Sequence, residues 1–496
     1  MPSIDSRNEP RPASPLDHRR AGILLHPTSL PGHGENGELG AEAYRFIDFL
    51  AQSGLSVWQT LPLGPTHGDR SPYQCLSVHA GNPLLISCDT LASKGWLDRA
   101  AVQHPPAQRR AVLEQAQRGF YEHASDADRH AYDTFKQQQH YWLEDYALYV
   151  AVREDNRSLP WWEWPQPLRD RQQSAIADAY QRLGVAIEAV RLEQFIFFDQ
   201  WQSLRRYANE KGIWIFGDMP IFVAHDSVDV WASRDQFALD AEGHAKVVAG
   251  VPPDYFSETG QRWGNPHYDW ERMHADGFSW WIQRVQSQLA LFDIIRIDHF
   301  RGFESYWEIP ADSTTAIHGR WVKAPGDELF HTLHARFNPL PLVAEDLGII
   351  TDEVTALRRA YSLPGMKVLQ FAFGGDAKNP YLPHNHEPNY VVYTGTHDND
   401  TTLGWFRSQS VAAKNEILDY LAKPQEEMPW PLIRSALASP ARLAMIPMQD
   451  VLMLDSEHRM NRPGVAEENW SWRFEWQQVP GDLAEWLRHL ATLYGR

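Results

Sequence analysis

Carboxylate side chains follow four separate apolar runs of the sequence, close to the point where each run ends. These four acids are Asp218, Asp298, Glu345 and Asp398. A single acid in such a position commonly caps the helix that follows, but four acids in equivalent positions indicate a common role. Because clustered ionisable groups mark functional sites, the pattern predicts a site lined by carboxylates.

A pair of carboxylates suits the transfer of a glycosyl group. A retaining reaction at a glycosidic bond needs two carboxyl groups about 5–5.5 Å apart, one as the nucleophile and the other as the proton donor and acceptor. Asp298 and Glu345 end successive apolar runs and form the natural pair. Arg296 projects to the same side of a strand as Asp298, where its cation favours an ionised nucleophile. Asp398 could then steady a cationic transition state.

A metal site is the alternative use of the same residues. Its ligands would be drawn from His299, His397, Asp298, Asp398 and Glu345. Metal-dependent barrel hydrolases commonly carry a His-x-His pair on the first strand, whereas the first run here contains only His26. An HExxH motif is also missing from the sequence. The pattern therefore favours glycosyl transfer with no metal. A metal site remains the less favoured hypothesis.

The apolar runs must position these acids, and they are short, rich in β-branched residues and followed by polar or Gly/Pro-rich turns. Eight such runs occupy residues 22–26, 57–63, 213–217, 294–299, 342–346, 367–371, 390–394 and 443–448. Amphipathic stretches lie between several of them, at residues 41–53, 195–211, 277–291 and 352–360. This alternation predicts an α/β fold of the (β/α)8 TIM-barrel type, with its functional residues at the C-terminal strand ends. An open α/β sheet is the alternative, but it would usually carry a Gly-rich turn after its first strand.

The spacing of the runs predicts how the chain is organised. We expect residues 1–20 to form a mobile N-terminal arm and residues 21–496 to form a single catalytic barrel. The long interval between the second and third runs predicts a mainly helical insertion at about residues 93–195. A loop-rich insertion is expected at about residues 231–269. Insertions in the βα loops of a barrel usually shape the cleft.

Composition narrows the class of protein. The 46 lysine and arginine residues and the 64 aspartate and glutamate residues give a net charge of 46 − 64 = −18 over 496 residues. This acidic charge argues against nucleic acid or an anionic membrane as a partner. Two cysteines without a CxxC pattern fit a reducing cytoplasm. The sequence contains neither an apolar secretory core near its start nor a run of about eighteen apolar residues. The 21 tryptophans offer flat apolar faces that suit sugar rings.

Long motifs spread over residues 22–493 make the sequence resemble glycoside hydrolase family 77, the 4-α-glucanotransferases of the α-amylase clan. The motifs that carry the resemblance are GILLHPTSLPG (22–32), SPYQ (71–74), GNPLLI (81–86), DMPIFVAHD (218–226), GVPPDYFSETGQRWGNP (250–266), RIDHFRG (296–302), AEDLG (344–348), GTHDNDTT (395–402), RMNRPG (459–464) and NWSWR (469–473).

The resemblance implies a double displacement without a cofactor. It implies that Asp298 is the nucleophile, Glu345 the acid/base and Asp398 the transition-state stabiliser. The residues that it implies as contacts to the donor sugar ring are Tyr73, Asp218, Arg296, His299 and His397. It also places Asp254, Gln261 and Trp263 in a flexible loop over the glucan, and it matches Asn469 to a sugar-contacting position. A separate C-terminal β-sandwich is expected to be missing.

The expected activity is the transfer of a segment of a 1,4-α-glucan to the 4-hydroxyl of another glucan or of glucose. The expected substrates are maltooligosaccharides and related α-glucans, and cyclic products are expected when the chain's own end is the acceptor. Two further alternatives stay open at this point. One is an α-glucan hydrolase with the same site, and the other is a glucan-binding protein that has lost catalysis.

Overall fold

The computed structural model describes residues 16–32, 34, 36–103, 109–253, 257–465 and 468–496. Most of the predicted N-terminal arm, up to residue 15, lies outside the described residues. Asp254, one of the predicted binding residues, lies outside them as well.

Strands of two sheets account for the β-structure of the described chain. In chain order the strands are β1 (Arg20–Leu24), β2 (Val57–Gln59), β3 (Trp214–Pro220), β4 (Val247–Val251), β5 (Gln261–Pro266), β6 (Ile294–Asp298), β7 (Ser305–Pro310), β8 (Arg320–Lys323), β9 (Leu342–Ala344), β10 (Gly365–Val368), β11 (Tyr390–Tyr393) and β12 (Leu443–Pro447).

Eight of these strands form one parallel sheet, in the order β10-β11-β12-β1-β2-β3-β6-β9. Each of the eight apolar runs supplies one strand of this sheet. The two end strands approach each other, because the amide of Ala344 in β9 donates to the carbonyl of Pro364 beside β10 at 2.8 Å. The sheet is therefore a nearly closed barrel, and the predicted (β/α)8 architecture is confirmed in place of the open sheet.

Side chains from neighbouring strands fill the inside of this barrel. Val57, Phe216, Ile294, Val343 and Met445 belong to one buried apolar cluster there. Their neighbours in the strands, such as Ile215 and Ile295, point the other way into the larger cluster under the helices. Because both faces are buried, these strands carry continuous apolar sequence, which made them recognisable.

Helices surround the barrel and extend above it. Within the described residues they are α1 (Ala41–Gln52), α2 (Cys88–Ser93), α3 (Arg109–His123), α4 (Asp126–Gln138), α5 (His140–Asp155), α6 (Gln166–Arg169), α7 (Gln173–Arg182), α8 (Gly184–Glu210), α9 (Val228–Ala232), α10 (Trp270–Ala275), α11 (Ser279–Leu291), α12 (Gly326–Arg336), α13 (Asp352–Ala360), α14 (Thr402–Ser408), α15 (Val411–Tyr420), α16 (Trp430–Ala438), α17 (Met448–Val451) and α18 (Leu483–Leu493). Of these helices, none combines the length and apolar character of a segment that crosses a bilayer.

The segment between β2 and β3 is largely helical, with α3 to α7 and the first turns of α8 in residues 93–195. Trp161 and Trp164 are buried in it, and the ring of Trp164 packs on Tyr149 of α5 and Trp231 of α9. The indole of Trp161 donates to the carbonyl of His225 at 2.8 Å. These tryptophans therefore tie the helical segment to the loop after β3.

A second, antiparallel sheet has the strand order β5-β4-β7-β8. It was not anticipated from the sequence. Its strands come from the chain that follows β3 and the chain that follows β6, so the sheet stands at the C-terminal end of the barrel. Val248 of β4 pairs with Ile309 of β7, and Trp307 of β7 pairs with Trp321 of β8. Since the region around β4 and β5 is rich in glycine and proline, its sequence is typical of loops rather than strands.

Candidate active site

A cleft of about 670 Å³ opens at the C-terminal ends of the barrel strands, beside the second sheet. Ten of the twelve predicted site residues line it: Tyr73, Gln261, Trp263, Arg296, Asp298, His299, Glu345, His397, Asp398 and Asn469. Asp218 lies below the cleft against Arg296. Asp254 falls outside the described residues. The structure therefore gathers carboxylates from separate strands at one rim, as expected for a barrel.

The register of two adjacent strands places Asp298 beside Glu345. Ile297 of β6 is paired with Ala344 of β9, so the next residue on each strand is one of the two acids. The backbone amide of Glu345 donates to the carbonyl of Ile297 at 3.0 Å, which fixes this alignment. Neighbouring parallel strands lie about 4.8 Å apart, so the two acids start from adjacent positions on the rim.

The Glu345 carboxyl accepts two backbone hydrogen bonds. The amide of His299 donates to Oε2 at 2.7 Å, and the amide of Leu347 donates to Oε1 at 3.0 Å. His299 adopts the left-handed conformation, with φ 54°, which aims its amide at the acid. Burial raises the pKa of Glu345 to about 7, with a lowering contribution from Arg296 and a raising one from Asp298. This carboxyl therefore keeps its proton at pH values where an ordinary glutamate has already lost it.

Asp298 accepts a hydrogen bond from a buried guanidinium. Nη2 of Arg296 donates to Asp298 Oδ1 at 2.8 Å, while Nη1 donates to both oxygens of Asp218 at 2.7 and 2.9 Å. The Tyr73 hydroxyl completes the chain by donating to Asp218 Oδ2 at 2.7 Å. The Arg296 guanidinium thus binds both Asp218 below the cleft and Asp298 within it. Because Arg296 binds only Oδ1 of Asp298, Oδ2 is left to react with a substrate.

Asp398 lies across the cleft in a half-exposed position. Its Oδ1 accepts from Nδ2 of Asn461 at 2.6 Å, and its Oδ2 lies 3.2 Å from Nε2 of His397. Burial acts to raise its pKa, but the charge and hydrogen bond of His397 together with the Asn461 bond lower it well below the usual value. Asp398 is therefore ionised at neutral pH, which suits a group that faces developing positive charge.

The loop that carries His397 and Asp398 is anchored at both ends to one buried acid, Asp450 of α17. The hydroxyl of Thr394, just before the loop, donates to Asp450 Oδ2 at 2.6 Å. The hydroxyl of Thr402 donates to the same oxygen at 2.6 Å, and the Thr402 amide donates to Oδ1 at 2.7 Å. The Asp450 carboxylate, in the helix that directly follows β12, thus holds both ends of the loop after β11.

Aromatic rings form the walls of the cleft. The rings of Tyr73 and His397 stack at 5.1 Å between centroids, and Trp470 packs near both of them. On another side Trp263 meets His299 edge to face at 4.9 Å, and its indole donates to Gln261 at 3.1 Å. Burial lowers the pKa of His299 to about 4, so its ring is neutral at physiological pH.

Asn469 lines the cleft, but its amide is occupied by its own loop. Its Oδ1 accepts from the amide of Arg462 at 2.8 Å, and its Nδ2 donates to the carbonyl of Val465 at 2.7 Å. The contacts of this side chain therefore fix the segment that carries Asn461 and Trp470. A sugar contact from Asn469 stays a prediction.

The cleft residues that were missed in the sequence analysis include Asn461, Trp470 and Trp321. Asn461 and Trp470 lie inside motifs that resemble the family, but nothing in their spacing shows that they reach Asp398 and Tyr73. Trp321 lies in a short polar strand whose residue pattern gives no sign of the cleft. Contacts between segments that are far apart in sequence bring these three residues to the site.

If the substrates are the maltooligosaccharides that the family resemblance implies, we expect Asn461→Ala to lower kcat by roughly 10- to 100-fold while their KM changes less than three-fold. The reason is that Asp398 loses its 2.6 Å hydrogen bond and with it the orientation that its predicted role in the transition state requires. Steady-state kinetics with maltotriose would measure both constants. Asn385→Ala is the control, because that exposed asparagine donates its amide hydrogen bonds to Ala377 and Asn379, away from the cleft. Equal effects of the two substitutions would contradict a role for Asn461 at Asp398.

Metal ligation was the alternative chemistry for these residues. Across the part of the chain that the structure describes, no group of three or more His, Cys, Asp or Glu side chains is placed to hold a metal ion. His397 instead faces Asp398, and the His299 amide faces Glu345.

Comparisons with known proteins point to one family. The model of the Glyco_hydro_77 family, described as 4-alpha-glucanotransferase, matches residues 25–478. The 4-alpha-glucanotransferase of Thermus thermophilus is 50% identical over 483 residues, which cover 94% of this chain and 96% of that protein. The chloroplastic/amyloplastic 4-alpha-glucanotransferase of Solanum tuberosum is 44% identical, over 97% of this chain and 87% of that protein.

Solved structures show the same similarity. An amylomaltase from Streptococcus agalactiae, in complex with acarbose, superposes with a TM-score of 0.94 at 37% identity, covering 96% of this chain and 99% of that one. An amylomaltase from Corynebacterium glutamicum, at 18% identity and a TM-score of 0.78, covers 97% of this chain and 76% of that one, and it shares the fold.

Proposed function

The chain belongs to glycoside hydrolase family 77, the 4-alpha-glucanotransferases, and we propose that it transfers glucan segments by a double displacement through Asp298. It is an enzyme that acts on α-1,4-glucans. The mechanism is supported above all by one observation, the unequal environments of two adjacent carboxyl groups. Asp298 faces a guanidinium at 2.8 Å, whereas burial raises the pKa of Glu345 to about 7. Two such groups side by side divide the roles of nucleophile and acid.

In the first step an Asp298 oxygen attacks the anomeric carbon of the sugar ring at the cleaved bond. The bond from that carbon to the 4-oxygen of the next sugar breaks, and the proton of Glu345 passes to the departing oxygen. The non-reducing part of the glucan is then esterified to Asp298, and the reducing-end fragment is free to leave. Glu345 is now a carboxylate.

In the second step the Glu345 carboxylate takes the proton of an acceptor 4-hydroxyl. The acceptor oxygen forms a bond to the anomeric carbon while the ester to Asp298 breaks. Two successive inversions restore the α configuration, and both acids return to their starting state. If the acceptor is the non-reducing end of the bound segment itself, the product is a cyclic glucan.

Positive charge on the sugar is stabilised by an acid that takes no part in the exchange of bonds. Asp398 faces the cleft as a carboxylate, oriented by Asn461 and His397. Arg296 and Asp218 hold Asp298 in line, and Tyr73 and His397 present one stacked face to the reacting ring. These groups are oriented before substrate binds, which lowers the cost of reaching the transition state.

Incubation of the purified enzyme with maltotriose is expected to release glucose and to build a ladder of longer maltooligosaccharides. Chain-length analysis by chromatography measures both products. Glucose and maltose alone, without longer products, would contradict transfer and identify the hydrolase alternative. Loss of the ladder in a chelator, restored by a divalent ion, would support the metal alternative instead. A cytoplasmic location, expected from the two cysteines, stays a prediction.

A further inference from the structure

Trp321 stands out as a large aromatic side chain that the reaction at the cleaved bond does not use. It belongs to β8, the edge strand of the second sheet, and 40% of its surface is exposed. Its ring lines the same cleft as Asp298 and Glu345. Ligand pockets are concave and lined by aromatic and apolar side chains, so an exposed ring at this place suits a surface that a ligand covers.

The ring of Trp321 is held in place by its neighbours. The guanidinium carbon of Arg301 lies 3.8 Å from the ring centroid and covers one face. Arg301 is itself buried, and Nη1 donates to the carbonyl of Ile349. Trp307 meets the ring edge to face, with centroids 5.2 Å apart, and its own indole donates to Ala316 at 2.9 Å. A ring fixed in this way loses little entropy when a ligand stacks on it.

Ile349 extends the apolar surface beside this ring. Its side chain is 55% exposed and lines the cleft. A flat ring with an aliphatic neighbour suits the apolar face of a glucose unit, whose hydroxyls remain at the rim in water. The chemistry of the patch therefore fits a neutral sugar of the substrate class.

We infer from the chain path on which side of the cleaved bond the patch lies. Ile349 follows Glu345 by four residues, and the Arg301 bond to its carbonyl joins that segment to Trp321. Glu345 is the acid that protonates the departing oxygen, so its side of the cleft receives the leaving fragment. Asp398, His397 and Tyr73 form a separate wall around the ring that becomes attached to Asp298.

Resting on the proposed function, we propose that Trp321, supported by Arg301, is the stacking platform for the leaving glucan and for the acceptor that replaces it. The platform lies beyond the first sugar on the acid side, so it serves acceptors of two or more units. It thereby sets a preference for oligosaccharide acceptors over glucose and favours glucan over water in the second step.

The test uses α-maltosyl fluoride as the donor, because fluoride leaves the acid side of the cleft empty. Glucose, maltose and maltotriose serve as acceptors. Trp321→Ala is expected to raise the KM for maltotriose about ten-fold, with little change in the KM for glucose or for the donor. Trp321→Phe should give a smaller rise. Ile317→Ala is the matched control, because it removes an exposed apolar side chain (44%) from the turn before β8 that does not line the cleft.

Three outcomes overturn parts of this assignment, and they are distinguishable. If the wild-type enzyme transfers and Trp321→Ala keeps its acceptor KM values, the platform is wrong and the proposed function stands. If the KM for the fluoride donor rises instead, the ring belongs to the donor side. If the wild-type enzyme only hydrolyses the fluoride, the proposed function fails, and the platform fails with it.

Discussion

Asp298→Asn is expected to lower kcat for transfer between maltooligosaccharides by about 10⁵-fold, since the amide cannot form the covalent intermediate. The Arg296 contact at 2.8 Å can be kept by the amide oxygen, so the cleft should retain its shape. Chromatography of maltotriose digests over long incubations measures the residual rate. Binding of maltooligosaccharides, followed by calorimetry, should change less than ten-fold, because the substitution removes chemistry and leaves the walls of the cleft.

Asp293→Asn is the matched control for this substitution. Asp293 directly precedes β6, so it lies at the opposite end of the strand, where it accepts hydrogen bonds from Arg205 and the amide of Ile215. It should keep transfer activity within about ten-fold, since it lies far from the rim. Reaction of the wild-type enzyme with a 5-fluoro-α-maltosyl fluoride should label one peptide, which contains Asp298. A label on another acid would move the nucleophile elsewhere.

Glu345→Gln is expected to lower kcat for maltooligosaccharides by about 10³-fold, because the departing oxygen loses its proton donor. The loss should be much smaller for glycosylation by α-maltosyl fluoride, since fluoride leaves without a proton. The variant should therefore accumulate the ester on Asp298, visible as a mass increase of the intact protein. Azide, which needs no base, should release it as α-maltosyl azide. Equal losses on both donors would contradict the acid role.

The pH dependence of the unmodified enzyme is an independent check on Glu345 as the acid. Burial raises the pKa of Glu345 to about 7. Below that pH the carboxyl is protonated and acts as an acid, and above it the fraction that holds a proton falls ten-fold for each pH unit. The kcat/KM for maltotriose should therefore decline above about pH 7, while the kcat/KM for α-maltosyl fluoride should not. The same alkaline decline with both donors would assign it to another group.

The barrel was predictable because its strands are buried on both faces, so each appears in the sequence as an apolar run with an acid near its end. The strand from Ile294 to Asp298 shows this most clearly. Its neighbour on the rim, Glu345, could be named as a partner because consecutive barrel strands are adjacent. Local sequence patterns were therefore enough to predict the barrel and to propose Asp298 and Glu345 as a pair.

The rest of the site depends on contacts that no local pattern reveals. Asn461 reaches Asp398 across 63 positions of sequence. The second sheet pairs short segments whose strand character depends on their neighbours. Trp321 lies in a short polar strand at the edge of this sheet and was not predicted for that reason. The different proton affinities of the acids also arise from packing, because burial and nearby charges act only after folding.

Asp450 has a consequence for the energetics of turnover. Because its two oxygens hold Thr394 and Thr402, the ends of the loop with Asp398 are pinned in the free enzyme. The conformational entropy of that loop is lost once, when the chain folds, and not again in each catalytic cycle. Binding energy from the glucan can then be directed to the distortion of the reacting sugar rather than to ordering the protein around it.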